Sequence, residues 1–377
     1  MVDTQPARGR PAILALGTAV PPFTDRQENV GQWMADSFPG QPAVQRLIRS
    51  LYAYSGIETR HTCTDEFQRP AEESPFAPGR PLAETPTTGQ RLAIYQREAP
   101  PLGEAAARAA LSQYAERTGT GEAEVLASIT HLIVVSCTGF FAPGPDFVLA
   151  DRLGLPPTIS RTVIGFMGCS AAFNGLRMAS QIVAGDPDAR VLMLSVELCS
   201  LHIQAGTRRD DLVSASIFAD GAAAAIVGQP SAGDRDYFRL NRFHTDMKPD
   251  TRDEMVWHIA DHGFILNLSP RIPDHLVDVA PGSLAAVTQG EVPQFWAIHP
   301  GGRSIVDGLQ EIFELSDEQI ASSRAVLRDR GNMSSATILF VLAEEAKTLA
   351  RRDQPTTGVA MAFGPGLTIE MAQLTYV

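Results

Sequence analysis

The stretch that decides the fold is GFMGCSAAFNGL, which runs from Gly165 to Leu176. The apolar residues just before it predict the end of a β-strand, and Gly165 and Gly168 predict a tight turn. From Ala171 onward, small and apolar residues indicate a buried helix. Cys169 therefore lies where a strand turns into a helix, and unpaired backbone N–H groups and the helix dipole favour a thiolate there. This stretch alone leaves two interpretations open, a nucleophile or a buried structural cysteine.

The composition indicates a globular protein with a large core. The chain has 377 residues, of which 44% are hydrophobic and 20% are charged. That length predicts two domains or one duplicated domain. The formal net charge of -12 argues against nucleic acid as the main partner.

The cysteines and the apolar runs indicate a reduced, cytoplasmic protein. The chain has 4 cysteines, at widely separated positions and without a C-x-x-C pair, so neither a zinc site nor a disulfide framework is predicted. The N-terminal residues lack the apolar segment of a signal peptide. No apolar run approaches the ~18 residues that a membrane span needs.

Buried strands alternate with helices twice along the chain, which predicts an α/β fold with helices covering the sheets. We predict a flexible tail at residues 1–10, a first half at residues 11–229 and a second half at residues 230–377. Four finer predictions are a short helix from Thr88 to Gln96, a helix from Leu102 to Arg117, a hairpin-like strand pair from Ile217 to Gly228, and a helical segment from Pro281 to Pro293.

Two further glycine-flanked turns carry polar residues in the second half. His299 ends a buried strand in the sequence IHPGG, and Asn332 opens a helix in the sequence GNMS. A cysteine nucleophile needs a base or an imidazolium partner, and His299 is suited to that role. His299 and the Asn332 amide are also suited to stabilise a negatively charged carbonyl oxygen. Each residue alone has a structural alternative as a helix cap, but the three turns together favour catalysis.

The chain resembles the type III polyketide synthases, the chalcone synthase-like branch of the thiolase superfamily. The resemblance is carried, in order, by GC at 168–169, IFADGAAA at 217–224, WAIHPGG at 296–302, GNMSSA at 331–336 and FGPGLTIE at 363–370. It implies a thiolase-like fold of duplicated αβαβα halves, and a homodimer. It also implies an acyltransferase that uses an acyl-CoA starter and malonyl-CoA, with no metal or redox cofactor.

The resemblance assigns roles to particular residues. Cys169 would carry the starter, and His299 and Asn332 would stabilise the enolate that forms when malonyl-CoA loses carbon dioxide. Phe218 would be a gatekeeping aromatic residue. Residues implied at the pocket are Phe218, Leu266, Trp257, Cys199, His202, Thr138, Gly366 and Ser334. Residues predicted at the coenzyme A site are Arg46, Arg49 and Ser304.

Some of these positions depart from the plant enzymes. Leu266 falls at the second aromatic gatekeeper, and Trp257 replaces a small cavity residue. Cys199 and His202 replace threonines. Trp257 has a structural alternative as ordinary core, and Arg46 and Arg49 have one as a solvated helix face. With these departures, the bacterial-like sequence favours a long acyl starter and an alkylresorcinol or alkylpyrone product.

The main alternative is a β-ketoacyl-ACP synthase III-like enzyme, which shares the cysteine, histidine and asparagine. The histidine of those enzymes lies in a His-Gln-Ala-Asn setting, whereas here the sequence is HPGG from His299. A thiolase would need a second catalytic cysteine near the C-terminus, and no cysteine follows Cys199. A non-catalytic acyl-binding scaffold should have lost one of the three residues. The sequence therefore predicts a decarboxylative condensing enzyme.

Overall fold

The computed structural model describes residues 10–231 and 233–377. The predicted tail, apart from Arg10, lies outside the described residues. The strands are β1 (Ala12–Ala19), β2 (Phe23–Arg26), β3 (Thr59–Thr62), β4 (His131–Ser136), β5 (Ser160–Gly165), β6 (Val191–Leu198), β7 (Asp220–Gly228), β8 (Phe238–Met247), β9 (Met255–Ala260), β10 (Gly263–Leu268), β11 (Trp296–Ile298), β12 (Thr356–Gly364) and β13 (Thr368–Tyr376). The helices are α1 (Gln27–Asp36), α2 (Pro42–Tyr54), α3 (Thr88–Thr118), α4 (Glu122–Ala127), α5 (Pro145–Leu153), α6 (Ala171–Gly185), α7 (Arg209–Ile217), α8 (Ile272–Thr288), α9 (Arg303–Ile312), α10 (Ala321–Arg330) and α11 (Thr337–Leu349).

The large sheet contains the same strand pattern twice. Its order is β11-β12-β13-β8-β1-β7-β6-β4-β5. In the first half, β1 and β7 are antiparallel, β7 and β6 are antiparallel, and β6 and β4 are parallel. In the second half, β8, β13, β12 and β11 repeat those three relations in the same order. The two halves join where β1 pairs with β8, and β5 extends the first half alone. This repeat confirms the predicted duplication.

Side chains that alternate along each strand point to opposite faces of the sheet and so pack into different layers of the core. Leu132 and Val134 of β4 pack with α3 on one face of the sheet. Ile133 and Val135 point to the opposite face, since side chains alternate along a strand, and join a central core with α6 and α11. Met361 of β12 belongs to a third cluster, formed with α8 and α9. The layers therefore follow the order helix, sheet, helix, sheet, helix, which confirms the predicted αβαβα fold.

The two central helices bring the glycine-flanked turns of both halves together. A 3₁₀ turn at Gly168–Ser170 precedes α6, and another at Ser334–Ala336 precedes α11. The two turns contact each other, and the first also contacts β12. Polar groups at helix N-termini from both halves therefore meet at one end of the central layer, where an α/β fold of this kind places its chemistry.

The predicted interruption between two helices of the first half does not exist. The predicted helices Thr88–Gln96 and Leu102–Arg117 are a single helix, α3, which continues through Pro100 and Pro101. Proline normally interrupts a helix because it lacks an N–H group. Here the helix buries a continuous row of side chains against the first-half sheet, including Tyr95, so tertiary packing outweighs the local cost.

The hairpin predicted from Ile217 to Gly228 is wrong. Ile217 ends α7, and Asp220–Gly228 is one strand that pairs with both β1 and β6. The helical segment predicted at Pro281–Pro293 begins earlier, because α8 starts at Ile272 and holds Pro281 in its interior. The β9–β10 hairpin was not predicted from the sequence.

Candidate active site

A cavity of about 710 Å³ lies at the end of the central layer where the turns meet. Cys169, His299 and Asn332 all line it. They come from three separate turns, before α6, after β11 and after α10. The structure therefore brings together the three residues that the sequence singled out.

The turn that carries Cys169 is fixed by its close approach to Pro365. Gly168 has a φ of 71°, and a Cβ atom at this position would lie 2.2 Å from the Cδ atom of Pro365. Only glycine satisfies both conditions without strain. The Gly168 N–H donates to the Sγ atom of Cys137 at 3.1 Å, which ties the turn to the end of β4. Cys169 is thus presented at a defined position on the cavity wall.

Asn332 is held by backbone and side-chain hydrogen bonds. Its backbone pairs with the segment around Phe218, since Asn332 N–H donates to Ile217 O and Ala219 N–H donates to Asn332 O, both at 2.9 Å. Its side-chain oxygen accepts from the Ser334 N–H at 2.9 Å, and its amide nitrogen donates to Gly301 O at 3.1 Å. The amide orientation is therefore fixed, and its second N–H interacts with the Cys169 sulfur, so it is directed toward the site of reaction.

His299 is nearly fully buried and its ring has no protein partner within the described chain. Its exposure is 1%, and both ring nitrogens lack a hydrogen bond to any described residue. Buried polar atoms are rarely left unpaired, so such atoms need an explanation. His299 lines the cavity together with Cys169 and Asn332. We therefore interpret its two ring nitrogens as groups that form hydrogen bonds with a bound substrate.

Burial controls the protonation of the cysteine and the histidine. Burial raises the pKa of the Cys169 thiol to about 11, and the charge of Glu197 raises it too, while hydrogen bonding to Ser334 and Asn332 acts in the opposite direction. Burial lowers the pKa of His299 to about 3. Near neutral pH Cys169 is therefore a thiol and His299 a neutral imidazole, whose lowered pKa makes it a weak base. This differs from the expected thiolate, because burial outweighs the helix dipole.

A buried carboxylate lies behind the nucleophile. Glu197 is fully buried on β6 and accepts hydrogen bonds from the hydroxyls of Thr138 and Ser335 and from the Cys137 N–H. Burial raises its pKa to about 7, although these hydrogen bonds favour the charged form. Glu197 is not among the residues predicted from the sequence, although an acidic residue inside an apolar strand is a detectable signal.

Thr138, Cys199 and His202 also line the cavity, as the resemblance implied. The Nδ1 atom of His202 accepts from the Phe264 N–H at 3.1 Å, so its Nε2 atom carries the proton and donates to Thr138 O at 2.7 Å. Burial lowers the pKa of His202 to about 3. His202 is therefore a neutral structural side chain of the wall.

Trp257 narrows the cavity at the same wall. Its indole N–H donates to Cys137 O at 2.8 Å, and its ring meets His202 and Phe264 edge to face. It lies on β9 directly across from Leu266 on β10, and both residues line the cavity. The structure thus places Trp257 at the cavity and not in the ordinary core.

The remaining predicted pocket residues divide into two groups. Phe218 and Ser334 line the cavity. Gly366 does not, although its loop contributes Pro365 and the end of β12 contributes Phe363. Gly366 has a φ of 75° and its N–H donates to Met255 O, so it shapes the turn behind the wall.

Of the residues predicted at the coenzyme A site, some line the cavity and some do not. Ser304 lines the outer part of the cavity, whereas Arg46 and Arg49 are exposed on α2 and are not among the lining residues. Arg49 instead donates to the side chain of Gln32. Residues of that outer part that the sequence analysis did not select are Ser50, Tyr54, Arg209 and Arg303.

The described residues contain neither a candidate metal cluster nor a helix that could span a membrane. No group of three or more His, Cys, Asp or Glu side chains there is arranged to hold a metal ion. No helix in residues 10–231 and 233–377 combines the length and the apolar character needed to cross a membrane.

Known proteins match the chain over nearly its whole length. The models of the N-terminal and C-terminal domains of chalcone and stilbene synthases match residues 1–231 and 240–377. "Type III polyketide synthase 21" of Oryza sativa subsp. japonica is 33% identical, over 97% of this chain and 94% of its own. "Alpha-pyrone synthesis polyketide synthase-like Pks18" of Mycobacterium tuberculosis is 31% identical, over 95% of this chain and 89% of its own. The crystal structure of PKS-I from the brown alga Ectocarpus siliculosus has a TM-score of 0.87 and 30% identity, and covers 100% of both chains.

The layered fold and these matches define the class as an acyltransferase-type enzyme with a thiolase-like fold. Within that class, the chain belongs to the chalcone and stilbene synthase family and is a type III polyketide synthase.

Proposed function

We propose that the enzyme catalyses decarboxylative Claisen condensation of malonyl-CoA onto an acyl-CoA starter held on Cys169, followed by cyclisation. The observation that carries this proposal is the meeting of Cys169, His299 and Asn332 on one cavity wall. The cysteine supplies a nucleophile, and the other two residues supply neutral groups suited to a carbonyl oxygen that becomes negatively charged.

In the loading step, the Cys169 sulfur attacks the starter thioester while its proton passes to His299. Coenzyme A leaves as the thiol and takes that proton, and an acyl-cysteine thioester remains. Neutral His299 is the form that can take up this proton, although burial lowers its pKa and so weakens it as a base.

In the extension step, malonyl-CoA loses carbon dioxide and becomes an acetyl-CoA enolate. The fixed Asn332 amide and the His299 ring stabilise the enolate oxygen. The enolate carbon attacks the acyl-cysteine carbonyl, a carbon–carbon bond forms and the Cys169 thiolate leaves. The lengthened chain is then a coenzyme A thioester that can reload onto Cys169. These steps involve no net oxidation or reduction, so the proposal includes no redox cofactor and no metal.

We infer a long-chain acyl starter and an alkylpyrone or alkylresorcinol product. Most of the surface that lines the cavity is apolar, and Cys199 contributes a small side chain to it. Trp257 restricts the space in which an extended polyketide folds. The name of the Mycobacterium tuberculosis relative associates that protein with α-pyrone synthesis. These observations support the proposal together.

We also propose that two copies associate through the edge of the first-half sheet. β5 is the last strand of that sheet, and Val163 on it is 48% exposed. Phe140, Phe147 and Met167, which are also exposed, are further large apolar residues of the same half. An unpaired strand with an apolar surface is a favourable site for pairing with a second copy.

Separate assays of the two steps test the roles of the residues. Intact-mass spectrometry measures starter loading, and release of carbon dioxide measures decarboxylation of malonyl-CoA. We expect Cys169→Ala to abolish loading, and Asn332→Leu to retain loading but lose decarboxylation by about a hundredfold. Loading in Cys169→Ala, or unchanged decarboxylation in Asn332→Leu, would contradict the assignments.

A further inference from the structure

A buried arginine lies directly behind the cavity wall that carries Phe218. Arg60 is the second residue of β3, and it is 1% exposed. It also contributes to the lining of the cavity. Burying a charged side chain is costly unless its charge and its hydrogen bonds are compensated. The identity of its partners therefore indicates what the residue does.

The Arg60 guanidinium binds the C-terminal end of α7. It donates to Ala215 O at 2.8 Å, to Ser216 O at 2.7 Å and to Phe218 O at 3.0 Å. The last carbonyl groups of a helix have no partner within the helix, and a positive charge near them is favourable. Arg60 therefore satisfies this helix end with a single rigid group.

Two other buried side chains complete the same arrangement. The Arg60 Nε atom donates to the side-chain oxygen of Gln27 at 2.8 Å, and Gln27 in turn donates to Ser216 O at 2.7 Å. The Tyr52 hydroxyl donates to Ala215 O at 2.9 Å. All hydrogen-bond acceptors of Arg60 in the described chain are neutral oxygens. Its charge is thus directed at the end of α7.

The end of α7 is connected to the catalytic asparagine. Ile217 O accepts from the Asn332 N–H, and the Ala219 N–H donates to Asn332 O. Phe218, whose carbonyl binds Arg60, lies between these two bonds. A shift of this segment would therefore move Asn332 and the Phe218 ring together. Cys169 is on a different turn, which is fixed by Pro365 and Cys137.

We propose that Arg60 is a positioning residue that acts through Phe218 and Asn332, and that it supports decarboxylation of malonyl-CoA more than starter loading. This inference rests on the proposed function. It predicts a selective defect, because loading depends on the Cys169 turn and decarboxylation depends on Asn332.

The test compares loading and decarboxylation in Arg60→Lys, which keeps the charge but loses the planar set of donors. We expect decarboxylation to fall about ten- to a hundredfold, as a small misplacement of a catalytic group can cost this much, while loading changes less than about threefold. Tyr52→Phe removes one hydroxyl from the same helix end and should show the same selectivity with a smaller loss. Leu111→Ala, a core variant on α3, controls for general destabilisation.

The outcomes separate the two proposals. Wild-type enzyme that neither loads nor decarboxylates would overturn the proposed function. Active wild-type enzyme with equal losses of both steps in Arg60→Lys, as in Leu111→Ala, would overturn the role of Arg60. If Arg60→Lys does not fold, Tyr52→Phe decides: a selective loss of decarboxylation supports the role, and equal or absent losses overturn it.

Discussion

One neighbouring carboxylate adds to the effect of burial on the protonation of Cys169. The charge of Glu197 raises the pKa of this thiol, and the pKa of Glu197 itself is about 7. The carboxylate is therefore charged mainly above neutral pH, where its effect on the thiol is strongest. Replacing it with a neutral side chain removes that effect.

We predict that Glu197→Gln lowers the pKa of Cys169, because it removes a negative charge that disfavours the thiolate. The amide keeps an acceptor for the neighbouring hydroxyl groups but carries no charge. The rate of alkylation by iodoacetamide, measured against pH, reports the thiolate fraction, so its rise should begin at lower pH in the variant. A profile that is unchanged, or displaced to higher pH, would contradict this interpretation.

Gly168 offers a second test at the scale of one residue. Gly168→Ala places a Cβ atom against Pro365 at a positive φ, a conformation that costs an ordinary residue about 1–2 kcal/mol before any clash. We predict a lower melting temperature and at least about a tenfold loss of starter loading, since the Cys169 turn must move. The control is Gly185→Ala at the end of α6, where no atom lies within 4 Å of the added Cβ. Equal behaviour of the two variants would refute the requirement for glycine.

At the scale of an element, β9 and β10 decide the shape of the cavity. Trp257 on β9 is fixed by its bond to Cys137 O and by the aromatic rings beside it. We predict that Trp257→Ala shifts the products of a hexadecanoyl starter toward more malonyl extensions, because the change enlarges the space in which the extended polyketide folds. The wild-type enzyme with the same starter is the control, and mass spectrometry of the products counts the extensions. An unchanged number of extensions would contradict this role of Trp257.

The catalytic turns were predictable from the sequence because their signals are local. Cys169, His299 and Asn332 each lie in a glycine-containing turn at the end of a strand or a helix, and such turns expose polar groups. The layered fold was predictable for the same reason, since apolar strands and helices alternate. Elements whose form depends on distant contacts were predicted less well. The path of α3 through two prolines depends on the sheet beneath it, and the β7 strand depends on β1 and β6.

Other parts of the site have no local signal. The carbonyl partners of Arg60 at the end of α7 lie 155 to 158 residues further along the chain, so no pattern around β3 reveals its role. Arg46 and Arg49 do have a local signal, but it does not predict their surroundings. Their spacing on α2 predicts a shared face, but that face is exposed outside the cavity lining. The spacing of residues in the sequence shows which side chains share a helix face, but it does not show what that face contacts.

At the scale of the whole molecule, the exposed edge of β5 predicts association. Val163→Asp places a charge on the apolar edge, and we predict that it converts a dimer into a monomer. Size-exclusion chromatography with light scattering measures the mass, and circular dichroism checks that the variant remains folded. A monomeric wild-type enzyme, or a folded variant that remains dimeric, would contradict the proposed interface.

The most direct test of the central claim is product analysis by mass spectrometry. Wild-type enzyme and Cys169→Ala would be incubated with malonyl-CoA and a panel of acyl-CoA starters of increasing length. We predict starter-dependent alkylpyrones or alkylresorcinols from the wild type, strongest with long starters, and none from the variant. Products that persist without Cys169 would contradict the nucleophile assignment. Condensation only when malonyl groups arrive on a carrier protein would contradict the proposed use of malonyl-CoA.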